Sequence, residues 1–239
     1  MKALIVSDIH ANYPALKAVL DTAGSYDKLI FLGDVVDYGP HPKECVNFIK
    51  NNADYYVRGN HDNALAFNTD CNSMGTFRAY SIATRKWHET ILDERDKEFL
   101  RNMPLLRMAH LPGNPESSEK NTFFLAHASP QGDISKYLNE DEIINELDDI
   151  IAEYILVGHT HIQYKKKIDF TLVVNPGSVG LSRDGGQACY ATYEDGNILL
   201  HRIDYDVEKT VSDLMKAPID SSSKNGLKKV FMPNVKKIF

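Results

Sequence analysis

Six short apolar runs, each followed at once by polar residues, constrain the fold of this chain more than any other feature of its sequence. Runs of this length are typical of β-strands that are buried on both faces. They cover residues 3–6, 29–32, 55–57, 123–126, 154–157 and 172–174. Helix-like stretches that open at Pro14 and Pro42 separate the first three runs. The sequence therefore predicts strand–helix–strand units in an α/β fold.

The rest of the chain departs from this alternation. Residues 63–110 are predicted to form a helical, cap-like insert, with one helix near 75–91 and a second that Asp93 caps and that ends at Arg101. The other predictions are an exposed loop at 111–121, a helix at 141–152, a hairpin of residues 187–193 and 198–204, and a loosely held tail at 221–239. Because 239 residues suit one α/β domain with a full core, we expect a single domain at 1–239.

The polar residues that follow these apolar runs are mainly aspartates, histidines and one asparagine. Five of the nine histidines are among them. Ligands of open α/β sheets bind at the carboxyl ends of the strands, so these side chains are expected to meet in one site. The candidate residues are Asp8, His10, Asp34, Asp37, Asn60, His61, Asp62, His127, His159 and His161.

Seven of the candidates are suitable metal ligands. They are Asp8, His10, Asp34, Asn60, His127, His159 and His161. One catalytic metal ion needs about three protein ligands and an open position, so seven ligands indicate two ions about 4 Å apart that share one carboxylate. Oxygen and nitrogen donors without thiolate favour divalent Mn, Fe, Zn or Ni, of which we expect Mn²⁺. Gly33, Gly59 and Gly158 each precede a proposed ligand, where a tight turn must aim a side chain into the cleft.

Five motifs follow one another in a fixed order along the chain. They are DIH at 8–10, GDVVD at 33–37, GNHD at 59–62, His127 and GHTH at 158–161. This order resembles the calcineurin-like metallophosphoesterase family over roughly residues 1–205. The resemblance implies a four-layer α/β/β/α sandwich of two mixed β-sheets flanked by helices, with the site at one edge of the sheets.

A closer resemblance is to the small prokaryotic branch of this family, which includes YfcE-like phosphodiesterases and diadenosine-tetraphosphatase-like proteins. It depends on GDVVDYGP at 33–40 and NPGSVGLSRDG at 175–185. Ala11 stands where many members of the branch have glycine, and this difference leaves the proposed metal ligands unchanged.

The resemblance also implies a role for each residue that matches a motif. One metal ion would be held by Asp8, His10 and His161, the other by Asn60, His127 and His159, with Asp34 as the bridging ligand. His61 would stabilise phosphate oxygens or protonate the leaving group, which suits a side chain that titrates near neutral pH. Asp62 would orient His61, as carboxylates do for other active-site histidines.

Two further polar residues have two interpretations each. Asp37 is a candidate for the substrate-binding side of the site or its immediate surroundings, but it could instead cap the helix that follows. Arg183 lies in a glycine-rich loop and is either a ligand of a substrate phosphate or part of a surface ion pair. The remaining histidines are interpreted as structural, hydrogen-bonded residues: His41, His88, His110 and His201.

Charge and cysteine content limit the partners and the location. The net charge of −6 gives no sign of a stable nucleic-acid partner. The apolar run at the start is too short for a signal peptide, and no apolar run is long enough for a membrane span. Three cysteines match no zinc motif and are typical of reduced thiols, so a cytoplasmic location is expected. The sequence leaves open whether the protein is a homo-oligomer.

The function that these observations favour is hydrolysis of a small phosphorylated substrate by a hydroxide that bridges two metal ions. A phosphomonoester, a phosphodiester and a nucleotide polyphosphate would all meet the same metals. Two alternatives are a catalytically weak protein-binding scaffold of the same fold and a nuclease of the superfamily. The complete ligand set argues against the scaffold, and the acidic charge argues against the nuclease.

Overall fold

The computed structural model describes residues 1–112, 120–183 and 185–233. The strands in these ranges are β1 (Lys2–Val6), β2 (Lys28–Phe31), β3 (Tyr55–Tyr56), β4 (Leu106–Pro112), β5 (Lys120–Ala126), β6 (Tyr154–Leu156), β7 (Tyr164–Ile168), β8 (Thr171–Asn175), β9 (Ala188–Glu194) and β10 (Asn197–Ile203). The α-helices are α1 (Tyr13–Ala23), α2 (Pro42–Asn52), α3 (Asn60–Phe67), α4 (Gly75–Ile91), α5 (Glu94–Asn102), α6 (Val207–Lys216) and α7 (Ser221–Phe231).

The strands form two five-stranded sheets that each mix parallel and antiparallel pairs. The first sheet has the order β10-β9-β1-β2-β3, and the second has the order β4-β5-β6-β8-β7. The predicted hairpin is confirmed as β9 and β10, which pair antiparallel across the turn at 194–197. Two mixed sheets flanked by helices confirm the predicted sandwich.

Apolar side chains fill the space between the sheets and the space under the helices. The buried layer between the sheets includes Ile5 and Ile30 from the first sheet and Phe123 from the second. The helices α1 and α2 cover the outer face of the first sheet through residues such as Leu16 and Ile49. Burial on both faces explains why the strands have near-continuous apolar sequences.

The direction of the strands brings the polar strand ends together. β1 runs parallel to β2, and β5 runs parallel to β6. Parallel neighbours end at the same edge of a sheet, so the loops that follow each pair lie side by side. The two sheets present these edges to each other, which places the motif loops in one region.

The helix predicted for 141–152 is wrong. This segment contains a single turn of 3₁₀-helix, Ile143–Glu146. The side chain of Asn139 accepts hydrogen bonds from the amides of Asp141 and Glu142, and such local bonds compete with an α-helix. Ile143 nevertheless packs on the outer face of the second sheet, so the segment still covers that face.

The prediction of a loosely held tail from Ser221 is also wrong for the part that the structure describes. Helix α7 begins after Asp220, whose side chain accepts from the amide of Ser223 as an N-cap. Leu227 and Phe231 are buried, so the polar composition of this segment hides an apolar stripe. Residues 234–239 lie outside the described residues.

The insert at 63–110 is helical only in part. The predicted helices are confirmed as α4 and α5, but residues 106–110 belong to strand β4. Ala109 and Leu111 are buried while their neighbours are exposed, which is the alternation of a strand. Of the predicted loop at 111–121, the middle part 113–119 lies outside the described residues and both ends belong to β4 and β5. Within the described ranges, no helix has the length and apolar character needed to cross a bilayer.

Candidate metal centre

The loops after the strands hold their polar residues in an unusual backbone conformation. Five of the seven proposed ligands have positive φ angles, which residues other than glycine rarely adopt. They are Asp8, His10, Asp34, His159 and His161. Such strained positions persist where the surrounding structure fixes them, and they concentrate at functional sites. The loops therefore hold these residues in unfavourable backbone conformations that direct their side chains into one region.

One group of donors comes from the first and last motifs. Asp8, His10 and His161 are all buried, and their donor atoms lie close together. The Nε2 atom of His161 is 3.2 Å from Oδ1 of Asp8 and 3.1 Å from Nε2 of His10. This group could hold one cation.

A second group lies next to the first. Asp34, His127 and His159 are likewise buried and close together. The Nε2 atom of His127 is 3.2 Å from Oδ2 of Asp34 and 3.0 Å from Oδ1 of Asn60. The same Oδ2 atom of Asp34 is 3.9 Å from Nε2 of His10. Asp34 therefore lies between the two groups, and all seven predicted ligands meet in one cluster.

Backbone carbonyl groups fix the orientation of three histidine rings. Nδ1 of His10 donates to the carbonyl of Val36, and Nδ1 of His161 donates to that of Leu181. Nδ1 of His127 donates to the carbonyl of Leu32. Each bond leaves the lone pair of Nε2 directed into the cluster, which is the usual arrangement of histidines that bind metals.

Several buried donor atoms have no hydrogen-bond partner. They include Oδ1 of Asp8, Oδ2 of Asp34 and Nε2 of His159. Leaving a buried polar atom unpaired is costly, and cations bound by the two groups would satisfy these atoms. The donor set of oxygen and imidazole nitrogen also suits a divalent transition metal. The residues present therefore fit two divalent cations.

The protonation of three of the ligands also suits metal binding. Burial lowers the pKa of His10 and of His159 to about 3, so both rings are neutral at pH 7. Burial opposes the charge of Asp8, but nearby His161 outweighs it and lowers the pKa of Asp8 to about 2. Neutral imidazoles and ionised carboxylates are the forms that coordinate metals. His127 differs, because Asp34 outweighs burial and raises the pKa of His127 to about 9, so a cation bound there would displace a proton.

Two glycines allow the loops to approach this closely. A Cβ atom at Gly59 would lie 2.0 Å from Oδ1 of Asp34, and one at Gly158 would lie 2.1 Å from Oγ of Ser7. Neither position has space for a side chain. Gly59 and Gly158 are therefore needed for the close packing of the loops, whereas Gly33 is the motif glycine with a positive φ angle, 98°.

His61 lies beside the cluster and is held by Asp37. Oδ2 of Asp37 accepts a hydrogen bond of 2.7 Å from Nδ1 of His61. The other ring nitrogen, Nε2, is 3.4 Å from the hydroxyl of Tyr38 and 3.3 Å from that of Ser73. Burial disfavours a charge on His61, but Tyr38, Asp34 and Asp37 outweigh it and raise the pKa of His61 well above its ordinary value.

The structure corrects the contacts expected for Asp62 and Asp37. The oxygens of Asp62 accept from the backbone amides of Asp34, Val35 and Gly59, at 2.7, 2.8 and 3.1 Å. Asp62 thus fixes the loop that carries Asp34, and Asp37 is the carboxylate that orients His61. Asp37 is fully buried and does not cap α2, whose N-cap is His41, and its role in substrate binding stays a prediction.

Helix α4 supplies contacts that the sequence reasoning missed. Nε of Arg85 donates to Oδ2 of Asp37 at 3.1 Å. His88 accepts from the amide of Asp37 and donates to the carbonyl of Gly39, and Thr84 accepts from the amide of Tyr38. The signal that could have found them is a stripe of buried polar residues at helical spacing along α4.

A third set of donors does not have the properties of a metal site. Asp37, His61 and Cys71 are close enough to hold an ion. However, Asp37 already pairs with His61 and with Arg85, so its charge is compensated. The lone pair of His61 that faces Asp37 is likewise occupied by a proton. This set is therefore better described as the support of His61.

Two of the remaining histidines have ordinary hydrogen-bond partners, and Arg183 lines a cleft. Nε2 of His41 is 2.9 Å from Asp213, and Nε2 of His201 is 2.7 Å from Thr192 Oγ1, in agreement with a structural role. Arg183 is exposed, and its guanidinium donates to the hydroxyl of Tyr137 at 3.1 Å. It lies on the wall of a cleft that opens beside the cluster.

Comparison with known proteins agrees with this geometry. Residues 1–196 match the model of the calcineurin-like phosphoesterase superfamily domain. An uncharacterised protein of Methanocaldococcus jannaschii is 31% identical over 235 residues, which cover 89% of this chain and 91% of that protein. A bis(5'-nucleosyl)-tetraphosphatase of Bacillus subtilis is 24% identical, over 73% of this chain and 85% of that enzyme.

A solved structure gives the same result for the fold. The metallophosphoesterase from Sphaerobacter thermophilus superimposes with a TM-score of 0.78 at 28% identity, and the match covers 95% of this chain and 98% of that chain. The family match and the relatives identify the activity as hydrolysis of phosphoesters. The chain therefore belongs to the calcineurin-like phosphoesterase superfamily.

Proposed function

We propose that this protein hydrolyses a small phosphorylated substrate with two divalent cations, of which Mn²⁺ is our first candidate. The observation that carries the proposal is the pair of adjacent, buried donor groups, in which Oδ2 of Asp34 in one group is 3.9 Å from Nε2 of His10 in the other and three donor atoms are unpaired. In this proposal one cation is held by Asp8, His10 and His161, and the other by Asn60, His127 and His159. Two cations would acidify a water molecule between them and offset the charge that develops on the phosphoryl group.

His61 would supply the proton for the leaving group. Because Nδ1 of His61 donates to Asp37, the carboxylate stabilises the doubly protonated ring and so keeps a proton on Nε2. That atom faces Tyr38 and Ser73 at the inner end of the cleft. The Nε2 proton is therefore placed where the oxygen of a leaving group can receive it.

The relatives, more than the site itself, indicate the class of substrate. The Bacillus subtilis relative is named for cleavage of a bis(5'-nucleosyl) tetraphosphate, which favours a nucleotide substrate for this chain as well. A protein-binding scaffold would not need the complete set of buried ligands. A nuclease would need a cationic surface, whereas the net charge of this chain is −6.

The test is turnover of p-nitrophenyl phosphate and bis-p-nitrophenyl phosphate. The protein is first stripped with a chelator and then supplied with Mn²⁺, Ni²⁺, Zn²⁺ or Mg²⁺. We expect activity only with added metal. A protein that binds no divalent metal and stays inactive on both substrates would contradict the proposal.

A variant separates metal binding from catalysis. His61→Ala should retain the metal content of the wild type and lose about 100-fold or more in kcat, the range of general acid catalysis. His110→Ala is the matched control, because His110 is exposed on β4 and its Nδ1 atom lies 3.4 Å from Oγ1 of Thr122, outside the donor cluster. Loss of metal from His61→Ala would mean that His61 is a ligand instead.

A further inference from the structure

A cleft of about 810 Å³ opens beside the candidate metal centre. Its inner end is formed by Tyr38 and Ser73, the same residues whose hydroxyls lie near Nε2 of His61. Its wall also includes Leu181, whose carbonyl accepts from the proposed ligand His161. The cleft therefore begins at the proton that the leaving group would take. Its volume is in the range of sites for whole cofactors or nucleotides and exceeds the needs of a single phosphate.

The wall of this cleft combines aromatic rings with an arginine. The guanidinium carbon of Arg183 lies over both Phe77 of α4 and Tyr137, at 5.6 Å from the first ring centre and 5.4 Å from the second. Met74 and Val230 add apolar surface. Planar rings and apolar side chains of this kind bind the flat face of a nucleobase.

The described charged residues of the cleft have the sign opposite to the net charge of the chain. Among the described residues of the wall, the only charged side chains are Arg183 and Lys229, and both are cations. The net charge of the whole chain is −6. Lys229 is exposed and forms no ion pair with any residue in the described ranges, so its ammonium group is available to a ligand. Two cations beside aromatic surface suit a ligand that carries both a ring and a phosphate.

Helix α7 brings Lys229 to this wall, and it lies beyond the matched family domain at 1–196. Leu227 and Phe231 of this helix pack in one buried cluster with Tyr38 and Leu181. Gly226 lies directly against Tyr80 of α4, where a Cβ atom would be 2.1 Å from the tyrosine hydroxyl. Packing on both sides fixes α7 relative to the cleft, so Lys229 is a defined part of the wall.

We propose that this cleft binds the leaving group of the substrate and that the leaving group is a nucleoside phosphate. The base lies against Phe77 and Tyr137, and the phosphate of the leaving group lies between Arg183 and Lys229. This assignment rests on the proposed hydrolysis for the identity of the leaving group. Water forms a new bond to phosphorus and releases a proton to solvent, while the bond from phosphorus to the nucleoside phosphate breaks. The departing oxygen keeps the electron pair and takes the proton of His61.

Equilibrium binding tests the cleft without turnover. Chelator-treated protein is titrated by calorimetry with ADP, AMP, adenosine and inorganic phosphate. We expect ADP to bind most tightly and adenosine and inorganic phosphate least tightly, because only the nucleotides engage both the rings and the cations. Equal affinity for ADP and adenosine, or for ADP and inorganic phosphate, would overturn the assignment.

Two neighbouring lysines provide a matched pair of variants. Lys229→Ala should weaken ADP binding about fivefold, which is the loss of one exposed charge contact. Lys228→Ala removes the same charge from the same helix turn, but Lys228 does not line the cleft, so it should bind ADP as the wild type does. Identical affinities for ADP in the two variants would contradict the role of Lys229.

Turnover then separates this inference from the proposed function. In the Mn²⁺-loaded protein, Lys229→Ala should lower the ratio of kcat/KM for ATP to kcat/KM for p-nitrophenyl phosphate by the same factor as ADP binding. If the wild type cleaves only p-nitrophenyl esters and binds no ADP, the proposed hydrolysis is supported and the nucleotide cleft is contradicted. A wild type that binds ADP as expected but cleaves no phosphoester keeps the nucleotide cleft but contradicts the proposed hydrolysis, and with it the identity of the bound nucleotide as a leaving group.

Discussion

Replacing Arg85 by Met would remove the cation that faces the buried carboxylate of Asp37. The side chains are 8% and 0% exposed, so water cannot compensate for the loss. Oδ1 of Asp37 has no hydrogen-bond partner among the described residues, so Oδ2 carries the compensation through Arg85 and His61. Breaking a buried ion pair by removing one partner costs about 3–5 kcal/mol. Because His61 remains, we expect a loss of about 3 kcal/mol in the free energy of unfolding.

The assay is urea denaturation in the presence of a chelator, so that metal binding does not contribute to the difference. Lys17→Met is the control, since its ion pair with Asp21 is 60% and 64% exposed and should leave the urea midpoint unchanged within error. The double variant Arg85→Met/Asp37→Asn should lose less than the sum of the two single variants, because the unpaired charge is gone. An Arg85→Met midpoint equal to that of Lys17→Met would refute the reasoning.

Three further predictions concern the loops around the site. Gly59→Ala should lower the bound metal content, measured by mass spectrometry of the metals, because the new Cβ would be 2.0 Å from Oδ1 of Asp34 and must displace it. Asp62→Ala should also lose metal, because three backbone amides around Asp34 lose their acceptor; normal metal content would argue against this role. Burial lowers the pKa of His88 from 6.5 to about 4, so the unfolded chain binds the proton first and stability falls between pH 6.5 and pH 4. The lowered pKa of His88 accounts for a loss of about 3 kcal/mol in the free energy of unfolding as the pH falls through this window. In the presence of a chelator, His88→Asn should therefore show a flatter pH dependence of unfolding between pH 6.5 and pH 4.

The parts of the fold with a strong local pattern could be predicted from the sequence. The buried strands β1, β2 and β5 have continuous apolar runs, and the β9–β10 hairpin has a turn sequence that defines it. The sequence does not indicate the edge strand β7, because three consecutive lysines form its centre and Tyr164 is its only buried residue. Polar sequences also hid α7, whose burial depends on contacts with distant residues.

The candidate site could likewise be predicted from the sequence only in part. The motif residues follow strands, so their convergence could be predicted from strand direction alone. The pairing of Asp37 with Arg85 could not be predicted from the sequence, since 48 positions separate the two residues and no local pattern connects them. The partners of Asp62 were also unpredictable, because they are backbone amides that only the folded loops bring within reach. The roles of the individual ligands stay predictions until a metal is bound.

The most direct test of the central claim is an anomalous difference map from crystals of the protein loaded with Mn²⁺. The account predicts two peaks, one among Asp8, His10 and His161 and one among Asn60, His127 and His159, with Asp34 within coordination distance of both. A single peak, or a peak at Cys71 and His61 in place of either, would contradict a two-metal phosphoesterase site.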